Sequence, residues 1–351
     1  MAGHYKVRDV LEDARLEQTR TAAPLVSVVV TSFNYASYVT DCLSSIACQD
    51  YPFFHVVVVD DCSTDESVRV IKDFIDSSAG GERFELVCHD QNKGQLGAFK
   101  TGLAHARGSF VTYVDADDLL LGDFISSHVR IHLGMEPVAF TSSDQYQINE
   151  RSEILSGHHA DLQAKGKFRF IGPRSLHRPF WLWATTSSMM FRKAVLELVM
   201  PDTIDHFRIC ADNYISHFAN LVGGSLLLPE VHGCYRRHGM NCFSSNSLVG
   251  GCHPTGNMKH HPSHDLVRQT ILDTLIRKHE EFSAVLSEGG YEGLLARTVI
   301  GWEIYRVSRI NDSFNRERSP FFPLKISLQS FSIRLSTKIH QVTAFAKNVL
   351  R

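Results

Sequence analysis

After Pro24 the chain alternates short apolar runs with amphipathic segments. Runs rich in β-branched residues predict buried parallel strands, and apolar residues at three- and four-residue steps predict helices. The predicted strands are 25–30, 55–59, 84–88 and 109–114, and the predicted helices cover about 37–48, a segment around 68–75, and 94–106. Strands and helices alternating at this spacing are typical of a parallel sheet with right-handed crossovers.

The pattern becomes less regular after residue 125. We predict a strand at 138–141, a loop over 150–180, extended chain at 181–191, helices at 193–199 and 212–221, and a long polar loop at 239–264. Three helical patterns follow, at about 265–286, 290–310 and 323–350. This division gives an N-terminal extension (1–24), one α/β domain (25–245) and a C-terminal extension (246–351) of loop and helix.

Composition narrows the classes of function. The 351 residues carry 36 Lys and Arg against 38 Asp and Glu, so no global basic field favours nucleic acid as a partner. No apolar run is long enough for a transmembrane helix, and residues 1–23 lack the apolar core of a secretory signal. The eight cysteines form no CxxC pair and are expected to be thiols, so a cytoplasmic location is predicted.

Polar residues stand where three of the predicted strands end. Ser32 to Asn34 follow the first strand, Asp60-Asp61 the second, and Asp115-Ala-Asp117-Asp118 the fourth. Ligands of open α/β sheets bind at this edge, and an Asp-x-Asp turn offers oxygen ligands that suit Mg²⁺ or Mn²⁺ together with substrate phosphates. Simpler interpretations stay open: a capping box of Ser63 and Glu66, an acidic turn, and a core role for Phe33.

Together these motifs resemble the family 2 nucleotide-sugar glycosyltransferases, which have the GT-A fold. The resemblance covers about residues 25–240 and rests on four segments: Ser27–Asn34, Val57–Asp65, Asn92–Gly94 and Tyr113–Asp118. It implies a Rossmann-like α/β domain with a mostly parallel sheet flanked by helices, followed here by a helical C-terminal extension.

The resemblance also implies roles for individual residues in binding the nucleotide sugar. Phe33 would stack on the base, Asp61 would hydrogen-bond it, and Asp60 would support the loop. Asp115 would meet the ribose or the metal, and Asp117 would ligate a metal that bridges the diphosphate.

A second group of implied site residues comes from residues 210–238. Asp212 would be the general base that accepts the proton of the acceptor hydroxyl, although Asp205 is a rival and Asp212 could simply cap a helix. Arg236 and His238 stand where relatives contact diphosphate or metal, with a structural histidine as the alternative.

The chain departs from the family pattern at three positions. Phe99-Lys100 replaces a common Arg-Asn, so Lys100 is the candidate for that nucleotide contact. Ala211 replaces the Glu of a Glu-Asp motif, and Cys62 replaces a usual Gly, which is tolerable if its φ is not positive.

The expected activity is therefore inverting, Mg²⁺- or Mn²⁺-dependent transfer of a sugar from a nucleoside-diphosphate sugar to a hydroxyl of a glycan or lipid-linked acceptor. A retaining transferase and a non-catalytic nucleotide-sugar-binding assembly subunit are the alternatives. Neither the sugar nor the nucleotide follows from the sequence.

Three further features remain outside this assignment. Trp181 and Trp183 predict either an acceptor platform or core packing. The His-rich stretch 253–264 matches no closed zinc pattern. Residues 320–350 form a basic amphipathic stripe, which predicts contact with an anionic membrane surface, with packing on the domain or on a second copy in a homo-oligomer as the alternative.

Overall fold

The computed structural model describes residues 23–134, 138–172, 181–202, 207–238, 241, 264–278 and 282. The strands are β1 (Val26–Ser32), β2 (Phe54–Asp60), β3 (Phe84–Cys88), β4 (Phe110–Asp115), β5 (Leu119–Leu120), β6 (Phe140–Asn149), β7 (Ile154–Ser156), β8 (Arg169–Ile171), β9 (Met189–Arg192) and β10 (Ser225–Arg237). The α-helices are α1 (Val39–Ala47), α2 (Ser67–Ser77), α3 (Gly94–His105), α4 (Phe124–Gly134), α5 (Lys193–Val199), α6 (Ala211–Gly223) and α7 (His264–Arg277).

One sheet organises these strands in the order β3-β2-β1-β4-β9-β6-β10-β5. The first four are mutually parallel, and β10 runs parallel to β6. Strand β9 lies between β4 and β6 and is antiparallel to both, and β5, β7 and β8 add short antiparallel pairings at the margins. The prediction of a mostly parallel GT-A-like α/β sheet flanked by helices is confirmed.

The core forms on both faces of the N-terminal half of the sheet. Val28, Val30, Val56 and Val58 lie in one apolar cluster with the buried face of α1. Helix α3 contacts β1 and β2. Valine alternates between the two faces along each strand, so every valine of β1 and β2 is buried. The continuous β-branched runs of the sequence therefore reflect helices covering both faces.

Strands β1 to β4 lie within one or two residues of their predicted ends, and α5 coincides with its prediction. Predictions for residues 138–180 are wrong in part. Strand β6 continues to Asn149, and two strands, β7 and β8, interrupt the predicted loop at 150–180. The extended chain predicted at 181–191 contains a 3₁₀ turn, Thr186–Ser188, before β9.

Strand β10 was not predicted, because Pro229 and Glu230 interrupt its apolar pattern. The structure accommodates them at two irregularities in the pairing of β10 with β6, between Leu227 and Val231 and between Val231 and Gly233. A bulge leaves residues outside the ladder, so a proline there removes no required hydrogen bond. Beyond the bulge β10 continues to Arg237 and so reaches the edge of the sheet where β4 ends.

The chain divides into two compact units. The first comprises Met1–Pro173 and Trp181–Ile271, and the second comprises Arg174–Phe180 and Leu272–Arg351. The start of α7 agrees with the helix predicted from residue 265. The N-terminal extension up to residue 22, most of the 239–264 loop, the two predicted helices at 290–310 and 323–350, and the amphipathic stripe lie outside the described residues.

All six cysteines within the described ranges are free thiols. No helix in the same ranges is long and apolar enough to span a bilayer.

Candidate functional site

The loop that follows β1 is fastened to the loop that follows β2. Asn34 adopts a left-handed conformation with φ 60°, which asparagine tolerates better than most residues. Its Oδ1 accepts hydrogen bonds from the backbone N (2.8 Å) and hydroxyl (3.3 Å) of Thr64, and its own N donates to Ser63 Oγ at 2.9 Å. Phe33 precedes this anchor and is 43% exposed, so its ring stands at the surface beside the ends of the strands.

Asp60 is fully buried at the end of β2 and organises the following turn. Its two carboxylate oxygens accept hydrogen bonds from the N (2.8 Å) and hydroxyl (2.6 Å) of Ser63. The proposed capping box does not form. Helix α2 begins at Ser67, and Asp65 accepts hydrogen bonds from the N and the hydroxyl of that serine.

Asp61 links the turn after β2 to the N-terminus of α3. Its carboxylate accepts hydrogen bonds from the backbone N of Lys93 and of Gly94, each at 2.7 Å, and lies 2.7 Å from Nδ1 of His89. Free N–H groups and the helix dipole both favour a carboxylate at a helix N-terminus. Asp61 is therefore held rigidly at the edge of the sheet with both oxygens engaged.

Cys62 follows at φ 66°, so the backbone here is left-handed and the replacement of the usual glycine is not free of strain. The usual glycine adopts this region freely, whereas a side chain there costs about 1–2 kcal/mol. The cysteine is thus strained, with its thiol 3.7 Å from the carbonyl oxygen of Asp90.

The pKa values of two carboxyl groups in the turn after β4, those of Asp115 and Asp118, are raised. Burial, followed by the negative charges of Asp117 and Asp212, raises the pKa of Asp115 to about 7. Hydrogen bonds from Thr31 (3.2 Å) and Gln95 (3.5 Å) oppose this rise in part. Burial and the charges of Asp117 and Asp115 also raise the pKa of Asp118. The ionised forms of these two carboxyl groups are therefore disfavoured, because the local donors do not offset burial and the neighbouring charges.

Arg236 ties this acidic turn to the end of β10. Its backbone N donates to Asp118 Oδ1 (2.9 Å), and its Nε donates to the carbonyl oxygen of Asp117 (2.8 Å). Its Nη1 donates to Ser152 Oγ and to the carbonyl oxygens of Asn149 and Glu150, and its Nη2 donates to Asp41 Oδ2 at 3.4 Å. The side chain is only 1% exposed, so its donors are engaged with the protein itself.

His238 contacts the carboxylate of Asp117. Its Nε2 lies 2.8 Å from Asp117 Oδ2, and both side chains are buried. Because an ionised carboxylate only accepts hydrogen bonds, Nε2 is the protonated nitrogen in this pair. The ring of His238 stacks on Tyr38, with centroids 5.0 Å apart and planes at 22°.

Asp212 lies in the first turn of α6, close enough to Asp115 for its charge to raise the pKa of that carboxyl group. Gln95 connects the two regions, since its Oε1 accepts a hydrogen bond from Ala211 N (2.8 Å) while its Nε2 donates to Asp115. The backbone N of Gln95 also donates to the carbonyl oxygen of Arg208 (2.9 Å). Helix α3 thus holds the start of α6 beside the acidic turn, a link with no signal in the sequence.

Two sequence-predicted groups lie apart from this cluster. Lys100 Nζ donates to the carbonyl oxygens of Asp202 (2.7 Å) and Pro201 (3.2 Å). Trp183 is fully buried and donates to Ser225 Oγ, which supports the core interpretation for this residue. Trp181 is half-buried, 5.3 Å from Trp183 between ring centroids.

The donor set determines what kind of cation the turn could hold. Within the described ranges, no group of three or more His, Cys, Asp or Glu side chains is arranged as a metal site. Mg²⁺ and Mn²⁺ commonly take one or two carboxylates and complete their coordination with substrate phosphates. Asp115 and Asp117 supply two carboxylates on one turn and so fit a cation of that kind, with His238 hydrogen-bonded to Asp117.

The fold defines a class of α/β protein in which loops and carboxylates meet at the carboxyl ends of parallel strands, the edge at which open α/β sheets bind their ligands. Residues 27–199 match the family described as "Glycosyl transferase family 2". The chain belongs to this family and is a glycosyltransferase.

Relatives share parts of the chain to different extents. An uncharacterized glycosyltransferase of Nostoc sp. is 28% identical over 258 residues, 72% of this chain and 76% of that protein. The putative teichuronic acid biosynthesis glycosyltransferase TuaG of Bacillus subtilis is 35% identical over 97 residues, 27% of this chain and 36% of TuaG. The crystal structure of Staphylococcus aureus TarS aligns with a TM-score of 0.48 and 16% identity, covering 82% of this chain and 53% of TarS.

Proposed function

We propose that this protein is an inverting, divalent-metal-dependent glycosyltransferase that uses a nucleoside-diphosphate sugar to build a surface polysaccharide or related glycan. The observation that carries the proposal is the convergence of Phe33, Asp61 and the Asp115-x-Asp117 turn at one edge of the sheet, with Asp212 beside Asp115. The match to TuaG, a putative teichuronic acid biosynthesis glycosyltransferase, supports a role in glycan synthesis.

In this proposal the nucleotide lies against the loops that end β1 and β2. Phe33 offers an exposed ring to the base. Asp61 is fixed by Lys93 N and Gly94 N at the start of α3, so it can orient the base only from a rigid position. Asp60 holds the loop between them through Ser63.

Asp115 and Asp117 would hold Mg²⁺ or Mn²⁺, which when bound offsets the charge of the leaving nucleoside diphosphate. Arg236 and Lys100 do not contact the nucleotide sugar directly in this scheme, because their hydrogen-bond donors are bound to oxygen atoms of the protein. Arg236 fixes the backbone of Asp117, and Lys100 stabilises the loop at 201–202.

Asp212 would accept the proton of the acceptor hydroxyl while the oxygen of that hydroxyl attacks the anomeric carbon. The new bond joins the acceptor oxygen to that carbon on the face opposite the departing group, and the bond from the anomeric carbon to the diphosphate oxygen breaks. The electron pair leaves with the nucleoside diphosphate. Inversion follows from this single displacement.

The test is donor binding and hydrolysis with a panel of UDP-, GDP- and dTDP-sugars, each with and without Mn²⁺. We expect metal-dependent turnover of one donor. The turnover rate should fall about 10²-fold or more in Asp212→Asn while donor binding is retained, and the metal-dependent turnover should be lost in Asp117→Ala. Asp73→Asn is the matched control, because Asp73 is an exposed carboxylate on α2. Binding without turnover in the wild type, unchanged by Asp212→Asn, would favour a non-catalytic subunit instead.

The segment 320–350 supplies a separate proposal from the sequence alone, that the protein is peripheral at the inner face of the membrane. Deleting residues 320–351 should then move the protein from the membrane fraction to the soluble fraction. An unchanged distribution would remove this part of the proposal.

A further inference from the structure

Tyr38, just before α1, touches two of the residues that surround the acidic turn. Its ring stacks on the imidazole of His238, with centroids 5.0 Å apart and planes at 22°. The guanidinium carbon of Arg236 lies 4.9 Å from the centroid of the same ring. Parallel stacking and a cation over an aromatic face are both attractive arrangements, so one side chain contributes to the position of both groups.

Both of these groups hold Asp117. His238 Nε2 is hydrogen-bonded to the carboxylate oxygen Oδ2, and Arg236 Nε donates to the carbonyl oxygen of the same residue, each at 2.8 Å. Asn241 links the backbones of the two residues, because its Oδ1 accepts a hydrogen bond from His238 N (2.6 Å) and its Nδ2 donates to Arg236 O (3.0 Å). The orientation of Asp117 therefore depends on the placement of these two side chains.

The backbone of Tyr38 is itself anchored. Its N donates to the carbonyl oxygen of Tyr35 (2.9 Å), and its own carbonyl oxygen accepts from Cys42 N (3.2 Å) in the first turn of α1. Helix α1 buries Cys42 and Leu43 in the core below β1. The Tyr38 ring is thus presented from a rigid element, and Tyr35 adds an edge contact to His238 at 5.9 Å.

We propose that Tyr38 is a positioning residue for the metal-binding carboxylate of Asp117, acting through His238 and Arg236. This inference rests on the proposed function, because it takes Asp117 to be a metal ligand. Groups that orient a ligand from behind typically change metal affinity about 10–100-fold when removed. Tyr38 touches neither donor nor metal in this scheme, so its contribution lies in the geometry of Asp117 alone.

The experiment measures Mn²⁺ binding by electron paramagnetic resonance, with Mn²⁺ alone and with UDP or GDP added. Tyr38→Leu and Tyr38→Met should weaken Mn²⁺ binding about 10-fold, while Tyr38→Phe, which keeps the ring, should bind like the wild type. At saturating Mn²⁺ the KM for the donor should stay near its wild-type value, and kcat should recover in part. Phe74→Leu is the control, because it removes another aromatic pair, Phe74 with Phe84, on the α2 side of the core.

The possible failures are distinguishable. A wild-type protein that binds no Mn²⁺ with or without nucleotide would overturn the proposed metal site and this inference together. Wild-type binding with equal affinity in folded Tyr38→Leu or Tyr38→Met would overturn the role of Tyr38 only. A defect in Tyr38→Phe as large as that in Tyr38→Leu would overturn the stacking account, since the ring is retained.

Discussion

Replacing Gly94 by alanine tests whether the N-terminus of α3 and the segment before α6 are fitted to each other. Gly94 has φ +75°, and a Cβ built on it would lie 2.4 Å from Arg208 Cα and 3.0 Å from Arg208 O. Gly80 offers a matched control, because it has φ +88° and a Cβ there would meet nothing within 4 Å. Both changes impose a left-handed alanine, and only one of them imposes a steric clash.

The expected losses of stability follow from the cost of the left-handed backbone and the cost of the steric clash. A left-handed alanine costs about 1 kcal/mol relative to glycine, so Gly80→Ala should lower the free energy of unfolding by that amount. Overpacking against backbone adds about 1–3 kcal/mol, so Gly94→Ala should cost about 2–4 kcal/mol. The unfolding entropy of about 2.1 cal/mol/K per residue corresponds to roughly 1–2 °C per kcal/mol for a chain of this size, so the Tm should fall about two to four times further in Gly94→Ala.

Activity should separate the variants more sharply than stability does. Relief of the clash must displace Arg208, whose carbonyl oxygen accepts from Gln95 N at 2.9 Å, and with it the start of α6 that carries Asp212. A displacement of about 1 Å at a reacting group costs about 100-fold in rate. Urea titration and single-turnover transfer of both folded variants are the assays. Equal stability of the two variants, or a normal rate in Gly94→Ala, would refute the reasoning.

Two further predictions concern stability. Burial lowers the pKa of His132 to about 3, with the charge of Arg192 adding to the effect, and burial lowers that of His55 to about 4. The unfolded chain therefore takes up these protons first, so the free energy of unfolding should fall between about pH 6.5 and 4, by up to about 1.4 kcal/mol per pH unit for each site. Urea midpoints at pH 7, 6 and 5 measure this fall, and His132→Gln should flatten it; a steeper fall in that variant would contradict the assignment. Cys62→Gly should raise Tm by a few degrees, because it releases the strain at φ 66°, while Cys48→Gly, at φ −85°, should give no gain in the same thermal scan.

The local hydrophobic pattern was sufficient to predict the N-terminal half of the fold, because the secondary structure that this pattern favours there is also the one that tertiary packing favours. Valine-rich β1 and β2 are covered on both faces, so their sequences allow one interpretation. Strand β10 could not be predicted from its own sequence. Pro229 and Glu230 fit into it only because its pairing with β6 is irregular at that point, and this irregularity depends on the neighbouring strand. Three-residue strands such as β8 carry too little periodicity to be recognised without their partners.

In the candidate site, too, some residues could be placed from the local sequence pattern and others depend on contacts between distant parts of the chain. The positions of Asp61, Asp115 and Asp117 at one edge of the sheet were predictable, because each lies within three residues of the end of a predicted strand. The engagement of Arg236 with the carbonyl of Asp117 was not, since it joins residues 119 positions apart. Lys100 shows the same limit, because its hydrogen bonds to the carbonyls at 201 and 202 depend on how α3 meets a distant loop.

The order in which the acidic turn and its supports occur along the chain has a consequence for synthesis on the ribosome. Arg236 follows its partner Asp118 by 118 residues, and His238 follows Asp117 by 121. A nascent chain that has emerged only through α4 presents three clustered carboxylates without these counter-groups, and like charges that cannot all ionise oppose close packing. Strands β1 to β4 are therefore expected to stay loosely assembled, and accessible to chaperones, until β10 emerges and closes the turn.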